Sequence, residues 1–302
     1  MSNTQHPTPN TPIPTNTPNT QEHPTPNAQR PTPPPAFSLV NVHYQHSRGV
    51  VALDGVGMEI TQGEKVAILG ANGCGKSTLL RLLNGLLFAQ SGTVEAFGIP
   101  LTETNLRDEA TAHRFRRRVG FVFQNSDAQL FSPTVREEIA FGPLQMGLDQ
   151  AEVEQRIREV IGLLDIQNLL ERAPFQLSGG EKKKVAIAST LVINPDALLL
   201  DEPTAGLDPR SQAWLVELLV RLHGAGKTLI TATHDLNLVP DLADRVLIFS
   251  EQHRIVAEGS TQTLLADADL LVRVNLIHAN WHRHGTLWHF HTKAADRPHS
   301  HG

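Results

Sequence analysis

The sequence predicts an α/β fold: a parallel core sheet with an antiparallel β subdomain ahead of it. Three observations carry this. Residues 65–69 (Lys-Val-Ala-Ile-Leu) form a short apolar strand that runs straight into a glycine-rich loop and then a helical stretch. Residues 197–200 and 228–233 are apolar runs of strand length, each ending at a polar residue, as buried parallel strands do when they deliver side chains to a site. Residues 37–44 and 51–60 instead alternate apolar and polar positions, the pattern of a half-buried antiparallel sheet.

The other elements follow in chain order. Residues 1–36 hold 11 of the 20 prolines among Thr, Asn and Gln, in weakly repeated Thr-Pro pieces. Such a segment cannot bury enough apolar surface to offset its ordering entropy, so a disordered tail is expected, either simply solvated or used for docking. The globular domain is expected over residues 37–275. Residues 77–87 read as a helix with Leu79, Leu80, Leu83 and Leu87 on one face. Residues 152–170 repeat that spacing through Val153, Ile157, Val160, Ile161 and Leu164. A hairpin is expected from residues 245–249 and 254–258, followed by a Leu-rich helical stretch. Residues 276–302 form a tail crowded with histidine.

Bulk composition narrows the function. A chain of 302 residues is long enough for one large domain or two small ones. A net charge of −5 argues against a broad basic face for nucleic acid. One cysteine, Cys74, leaves no internal disulfide framework and fits a reducing compartment. There is no apolar run of about 18 residues, and the first residues lack the basic start and apolar stretch of a secretory signal. The expectation is a cytosolic chain that reaches a membrane only through a partner.

The glycine-rich loop, Gly70-Ala71-Asn72-Gly73-Cys74-Gly75-Lys76-Ser77, fits G-x-x-x-x-G-K-[ST] in its strand–loop–helix setting. Glycines let main-chain N–H groups turn inward without Cβ clashes. Those groups, the helix start and Lys76 suit the β- and γ-phosphates of a nucleotide, and the Ser77 hydroxyl suits Mg2+. Gly70, Asn72, Gly73, Gly75, Lys76, Ser77 and Thr78 make up the candidate cradle. Cys74 is read as a small loop residue. Just past the apolar strand at 197–200 stand Asp201 and Glu202. Asp201 is the natural partner of the metal, and Glu202 the candidate general base that orients water.

The order of motifs over about residues 37–260 resembles the ABC ATPases. That resemblance implies a P-loop NTPase core with an antiparallel β subdomain and a helical subdomain bearing the signature motif, binding ATP and Mg2+. It implies an adenine-stacking ring at Tyr44 and a Q-loop glutamine at Gln124, after Phe121-Val122-Phe123, which contacts Mg2+ and reports nucleotide state to a membrane partner. It implies a signature at Leu177-Ser178-Gly179-Gly180-Glu181, with Glu181 where many members carry Gln. It also implies a D-loop aspartate at Asp208 and a switch histidine at His234, which alone would read as a core residue. In the family, Ser178, Gly179 and Gly180 close over the γ-phosphate held by a second subunit, so two chains, identical or paralogous, make two composite sites. A hydroxyl and open N–H groups at a helix start are physically suited to that anion.

Residues 124–143, with Leu130, Phe131 and Phe141, and the run Glu181-Lys182-Lys183-Lys184 closely resemble the ATPases of energy-coupling-factor importers, including cobalt and nickel systems. There a groove beside the Q-loop receives a helix of an integral membrane subunit, which places the ATPase on the cytoplasmic face. The three groove residues read equally as plain core. Seven of the 15 histidines fall in the last 25 residues, with Trp281, Trp288 and Phe290 interleaved. Imidazole suits divalent Ni, Co, Zn and Cu, so the pairs His282/His284 and His289/His291 are candidate ligands, against a solvated tail. The leading reading is the motor of a cobalt or nickel importer. A shared motor for vitamin import and a soluble, non-transport ABC ATPase stand beside it.

Overall fold

The computed structural model describes residues 35–278 and the strand pair 281–284 with 287–290. The expected tail at residues 1–36 lies outside the described residues except for its last two, which belong to the first strand.

Eleven-residue strands β1 (Pro35–Gln45) and β2 (Val51–Thr61) pair antiparallel. β3 (Lys65–Leu69) leads through the glycine-rich loop into α1 (Lys76–Leu83). β4 (Ser91–Ala96) and the short β5 (Ile99–Pro100) complete a four-stranded antiparallel sheet of order β2-β1-β4-β5. α2 (Glu103–Arg107) and α3 (Glu109–Arg116) then lead to β6 (Val119–Val122).

A helical layer follows: α4 (Val135–Gln145), α5 (Gln150–Leu164) and α6 (Gly179–Leu191). Each starts at a side-chain cap, Thr134, Asp149 and Ser178, that accepts an otherwise unpaired N–H of the first turn. The chain then alternates β7 (Ala197–Asp201), α7 (Pro209–Gly224), β8 (Thr228–Thr233), α8 (Val239–Leu242) and β9 (Arg245–Phe249). β10 (Ile255–Ser260), α9 (Thr261–Ala266) and α10 (Ala268–Arg273) close the domain. The core sheet has the order β10-β9-β3-β8-β7-β6, parallel from β9 to β6, with β10 antiparallel at one edge. Both expected sheet types and the helical layer are therefore present.

Every residue of β7 and β8 is buried, which explains runs without polar alternation. α1 sits under the loop with Leu79, Leu80, Leu82 and Leu83 all at most 1 % exposed. Burying such side chains contributes about 2 kcal/mol each, so the loop rests on a stiff base.

Some boundaries differ from expectation. α1 ends at Leu83 rather than 87, because Gly85 turns the chain at φ +65°. The helix expected over 152–170 stops at Leu164, where Asp165 adopts φ +52°, and a single 3-10 turn at Gln167–Leu169 follows. Ile277 is buried with Leu271 and Val274 in the C-terminal core, so the domain runs slightly past residue 275. Beyond it, β11 (Trp281–His284) and β12 (Leu287–Phe290) pair antiparallel, with His282 opposite His289. The side chains of His282, His284 and His289, and all of His291, lie outside the described residues.

Candidate nucleotide site

The carboxyl ends of β3 and β7 deliver the site, where an open parallel sheet places its ligands. A cavity of about 320 Å3 opens there, walled by Asn72, Gly73, Gly75, Lys76, Ser77 and Thr78 of the loop and helix start, with Gln124, Glu202, His46 and His253. Gly75 takes φ +115°, and a Cβ there would run into the Ala52 carbonyl oxygen. Gly70 is constrained differently: a Cβ would come within 2.5 Å of Cys74 Sγ, which is buried beneath the loop. Burial pushes the Cys74 thiol up, so it stays protonated, consistent with a packing role.

The charged groups of the site are tied to one another. Lys76 Nζ donates to the Gly70 and Ala71 carbonyls at 2.8 and 3.2 Å and lies 3.7 Å from Glu202 Oε1. Ser77 Oγ donates to Asp201 Oδ1 at 2.9 Å. Asp201 is 4 % exposed, and burial raises its pKa, a cost that a bound cation would offset. Two hard oxygen donors at this separation, one of them a buried carboxylate, fit Mg2+. Glu202 is buried at φ +43°, a left-handed conformation that is strained for a glutamate, and its Oε1 is 2.9 Å from His234 Nδ1. The structure thus brings Lys76, Glu202 and His234 into one chain of contacts.

Five sequence-picked residues, Tyr44, Ser178, Gly179, Gly180 and Asp208, do not wall this cavity. The Tyr44 ring packs against the core beside β1, edge-on to His46 at 5.2 Å. His46 is the ring on the cavity wall, with Nε2 3.2 Å from Thr78 Oγ1. Asp208 caps α7, accepting from the N–H groups of Arg210 and Ser211, and the Ser211 hydroxyl holds its carboxyl below the usual range. It is close to Gly180, where a Cβ would lie 3.9 Å from Asp208 Oδ2.

Ser178 and Gly179 are exposed, and neither they nor Gly180 wall the cavity. Ser178 caps α6 in a reciprocal box: its Oγ accepts from Glu181 N–H, while Glu181 accepts from Ser178 N–H at 2.8 Å. Glu at this position thus serves the helix start. The glycine-rich loop and the start of α6 thus do not share this cavity.

His253 was invisible to sequence reasoning. It belongs to no motif, and it reaches the site because the turn between β9 and β10 puts it at φ +62° with Nδ1 3.1 Å from the Cys74 carbonyl oxygen. His46 could have been found only by knowing where β1 ends.

Beside the end of α6 lies a second cavity of about 770 Å3, walled by Phe88, Phe115, Phe121, Phe131, Phe141 and Met146 among others. Phe131 and Phe141 meet edge-to-face at 4.9 Å and are 67 % and 44 % exposed. Leu130 belongs to the buried helical core instead. No helix of the described residues is long and apolar enough to cross a membrane, and no group of three or more His, Cys, Asp or Glu among them is placed to hold a metal ion.

Comparison with known proteins agrees with this geometry. Residues 53–205 match the family model described as ABC transporter. The chain is 48% identical over 246 residues to the nickel import ATP-binding protein NikO of Rhodobacter capsulatus, covering 80% of this chain and 96% of that one. Among solved structures it resembles cbiO1 of Clostridium perfringens, part of the ABC transporter complex cbiONQ, with TM-score 0.68, 37% identity, and 81% and 96% of the two chains covered. It also resembles the dimeric MJ0796 bacterial cassette, with TM-score 0.66, 29% identity, and 74% and 98% covered. This chain belongs to the ABC transporter family, as an ATP-hydrolysing subunit.

Proposed function

We propose that this chain is the motor of an energy-coupling-factor importer for nickel or cobalt ions, working as a dimer docked to integral membrane subunits on the cytoplasmic face. The observation that carries the dimer is the separation of the glycine-rich loop from the start of α6. One chain holds a complete phosphate cradle, yet its second anion-binding helix start is exposed and does not line that cavity. A second copy, or a paralogue, brings that start onto the cradle.

In this reading the loop amides and Lys76 hold the β- and γ-phosphates of ATP, and Thr78 adds a hydroxyl. Tyr44, edge-on to His46 at the end of β1, is the ring proposed against the base, with His46 beside it on the cavity wall. Ser77, Asp201 and Gln124 would hold Mg2+, which neutralises charge on the phosphate oxygens. Glu202 accepts a proton from the attacking water and aligns it, with His234 holding the carboxylate through Oε1. The γ-phosphate competes for Lys76 and draws it away from Glu202, freeing that carboxylate for water. Ser178, Gly179 and Gly180 of the partner copy meet the γ-phosphate, and Asp208 positions Gly180 from behind. Hydrolysis is then a matter of positioning and charge neutralisation.

The aromatic cavity beside α6 fits a helix of a membrane subunit: Phe131 and Phe141 are exposed at its rim, while the loop of Gln124 runs along it. Nickel or cobalt as cargo rests on the likeness to NikO and cbiO1 and on the histidine-rich tail. Uptake of radiolabelled Ni2+ and Co2+ in cells lacking this chain is the test. Restoration by wild type and not by Glu202→Gln is expected. Unchanged metal uptake with loss of vitamin uptake would overturn the metal reading in favour of a shared vitamin motor.

A further inference from the structure

The three lysines after the signature have three different fates. Lys182 pairs with Asp127 at 2.6 Å, and Lys184 lies over the Trp214 ring at 4.9 Å. Lys183 is 2 % exposed and points inward. Its Nζ donates to the carbonyl oxygens of Phe123 and Gln124, each at 3.0 Å. Those carbonyls lie just past the end of β6, where the main chain leaves the sheet and no strand neighbour takes them.

A buried ammonium bonded to carbonyl dipoles rather than to a carboxylate is costly: burial lowers the pKa of Lys183 to about 8. A methionine would fill similar space without that cost. What a methionine cannot do is bind two consecutive carbonyls at once. Gln129 reinforces the same junction. Its Oε1 accepts from Phe123 N–H at 3.1 Å, and its Nε2 donates to the Ala186 carbonyl of α6 at 2.8 Å. The root of the Gln124 loop is therefore fastened to α6 through both its carbonyls and an amide, while the Gln124 side chain is left exposed on the nucleotide cavity wall.

We propose that Lys183 is a positioning residue for hydrolysis: it clamps the main chain at Phe123 and Gln124 to the helix that begins at the signature. The Gln124 side chain then reaches the phosphate–metal site from a backbone that moves with that helix. This rests on the role given to Gln124 above. In the proposed reading ATP is held by the glycine-rich loop, a separate segment of the chain, so the clamp acts on turnover and not on nucleotide capture.

The experiment uses the full-length protein, with ATP turnover measured against ATP and against Mg2+ for wild type, Gln124→Ala, Lys183→Met, Lys183→Arg and the double variant Gln124→Ala/Lys183→Met. Lys183→Met is expected to lower kcat about tenfold and raise the half-saturating Mg2+ about tenfold, with KM for ATP within about twofold of wild type. Because Lys183 acts through Gln124, the double variant is expected to be no worse than Gln124→Ala alone. Lys183→Arg, which keeps a cation with several donors, restores most of kcat. Losses that multiply in the double variant, or a Lys183→Met enzyme with normal kcat and Mg2+ dependence, overturn the clamp.

A spin label at exposed position 128 (Ala128→Cys with Cys74→Ala) gives an independent reading. Lys183→Met, or Lys183→Gln if the methionine variant does not fold, is expected to loosen the label, and unchanged mobility overturns the clamp. Should Gln124→Ala alone turn over normally, the role given to Gln124 falls, and the label alone decides whether the clamp exists.

Discussion

The molecule has two helix starts built to meet an anion, and they are finished to different degrees. The start of α1 is enclosed: it follows a loop held by Lys76 and packed on Cys74, with leucines beneath it and a carboxylate pair beside it. The start of α6 is exposed, closed only by the box between Ser178 and Glu181 and backed by Asp208 and Ser211 through Gly180. One is enclosed by its own chain, and the other is a surface that, in the proposed dimer, would meet a phosphate held by a neighbour. A helix N-terminus alone therefore does not define a site; what surrounds it decides whether it binds alone or only at an interface.

The sharpest way to break this comparison is to disable the two starts in different chains. Lys76→Ala and Ser178→Arg are each expected to lower turnover by more than about a hundredfold. Mixing the two proteins creates one composite site with an intact cradle facing an intact signature, and phosphate release should rise at least about tenfold above either alone. No gain on mixing would mean that each chain acts by itself. Glu202→Gln should abolish turnover and leave an ATP-stabilised dimer on size-exclusion chromatography; a monomer there would contradict the interface.

Stability separates the two regions on a smaller scale. Leu79→Ala, beneath the cradle, is expected to cost about 2–5 kcal/mol in chemical denaturation. Ser178→Ala, which removes only the cap of α6, should cost about 1 kcal/mol. The smallest effect is a pH dependence at that cap. The Ser178 N–H holds the Glu181 carboxyl below its ordinary value of 4.5, so its contribution is present above that pH and is lost as the pH falls through the lowered value. The stability gap between wild type and Glu181→Gln should accordingly close on acidification below 4.5, and a gap that widened would reverse the assignment.

What could be read from sequence follows the same division. The loop is local, with its strand, glycine spacing and helix adjoining one another in the chain, and those elements were legible. Asp201 and Glu202 were legible because an apolar strand ends at them. Tyr44 is picked from its place in the motif order, not from strand periodicity, and its ring packs on the core edge-on to His46, which lines the cavity. β1 shifts register against β2 on both sides of Val42 and again after Tyr44, so side-chain facing cannot be counted along it, and the ring on the wall is two residues on at His46. Lys183 read as one cation in a charged run, and only its burial beneath the Gln124 loop sets it apart from Lys182. His253 depends on a left-handed turn residue in a hairpin far along the chain, for which no nearby pattern exists.

The exposed aromatic rim has a consequence for how cells must handle this protein. Phe131, Phe141 and, beside the signature, Phe175 at 80 % exposure leave a freshly made chain with adhesive patches. If made in excess of the proposed membrane subunits, it would self-associate or engage chaperones, so its abundance should track theirs, and orphaned copies should be the first to be degraded.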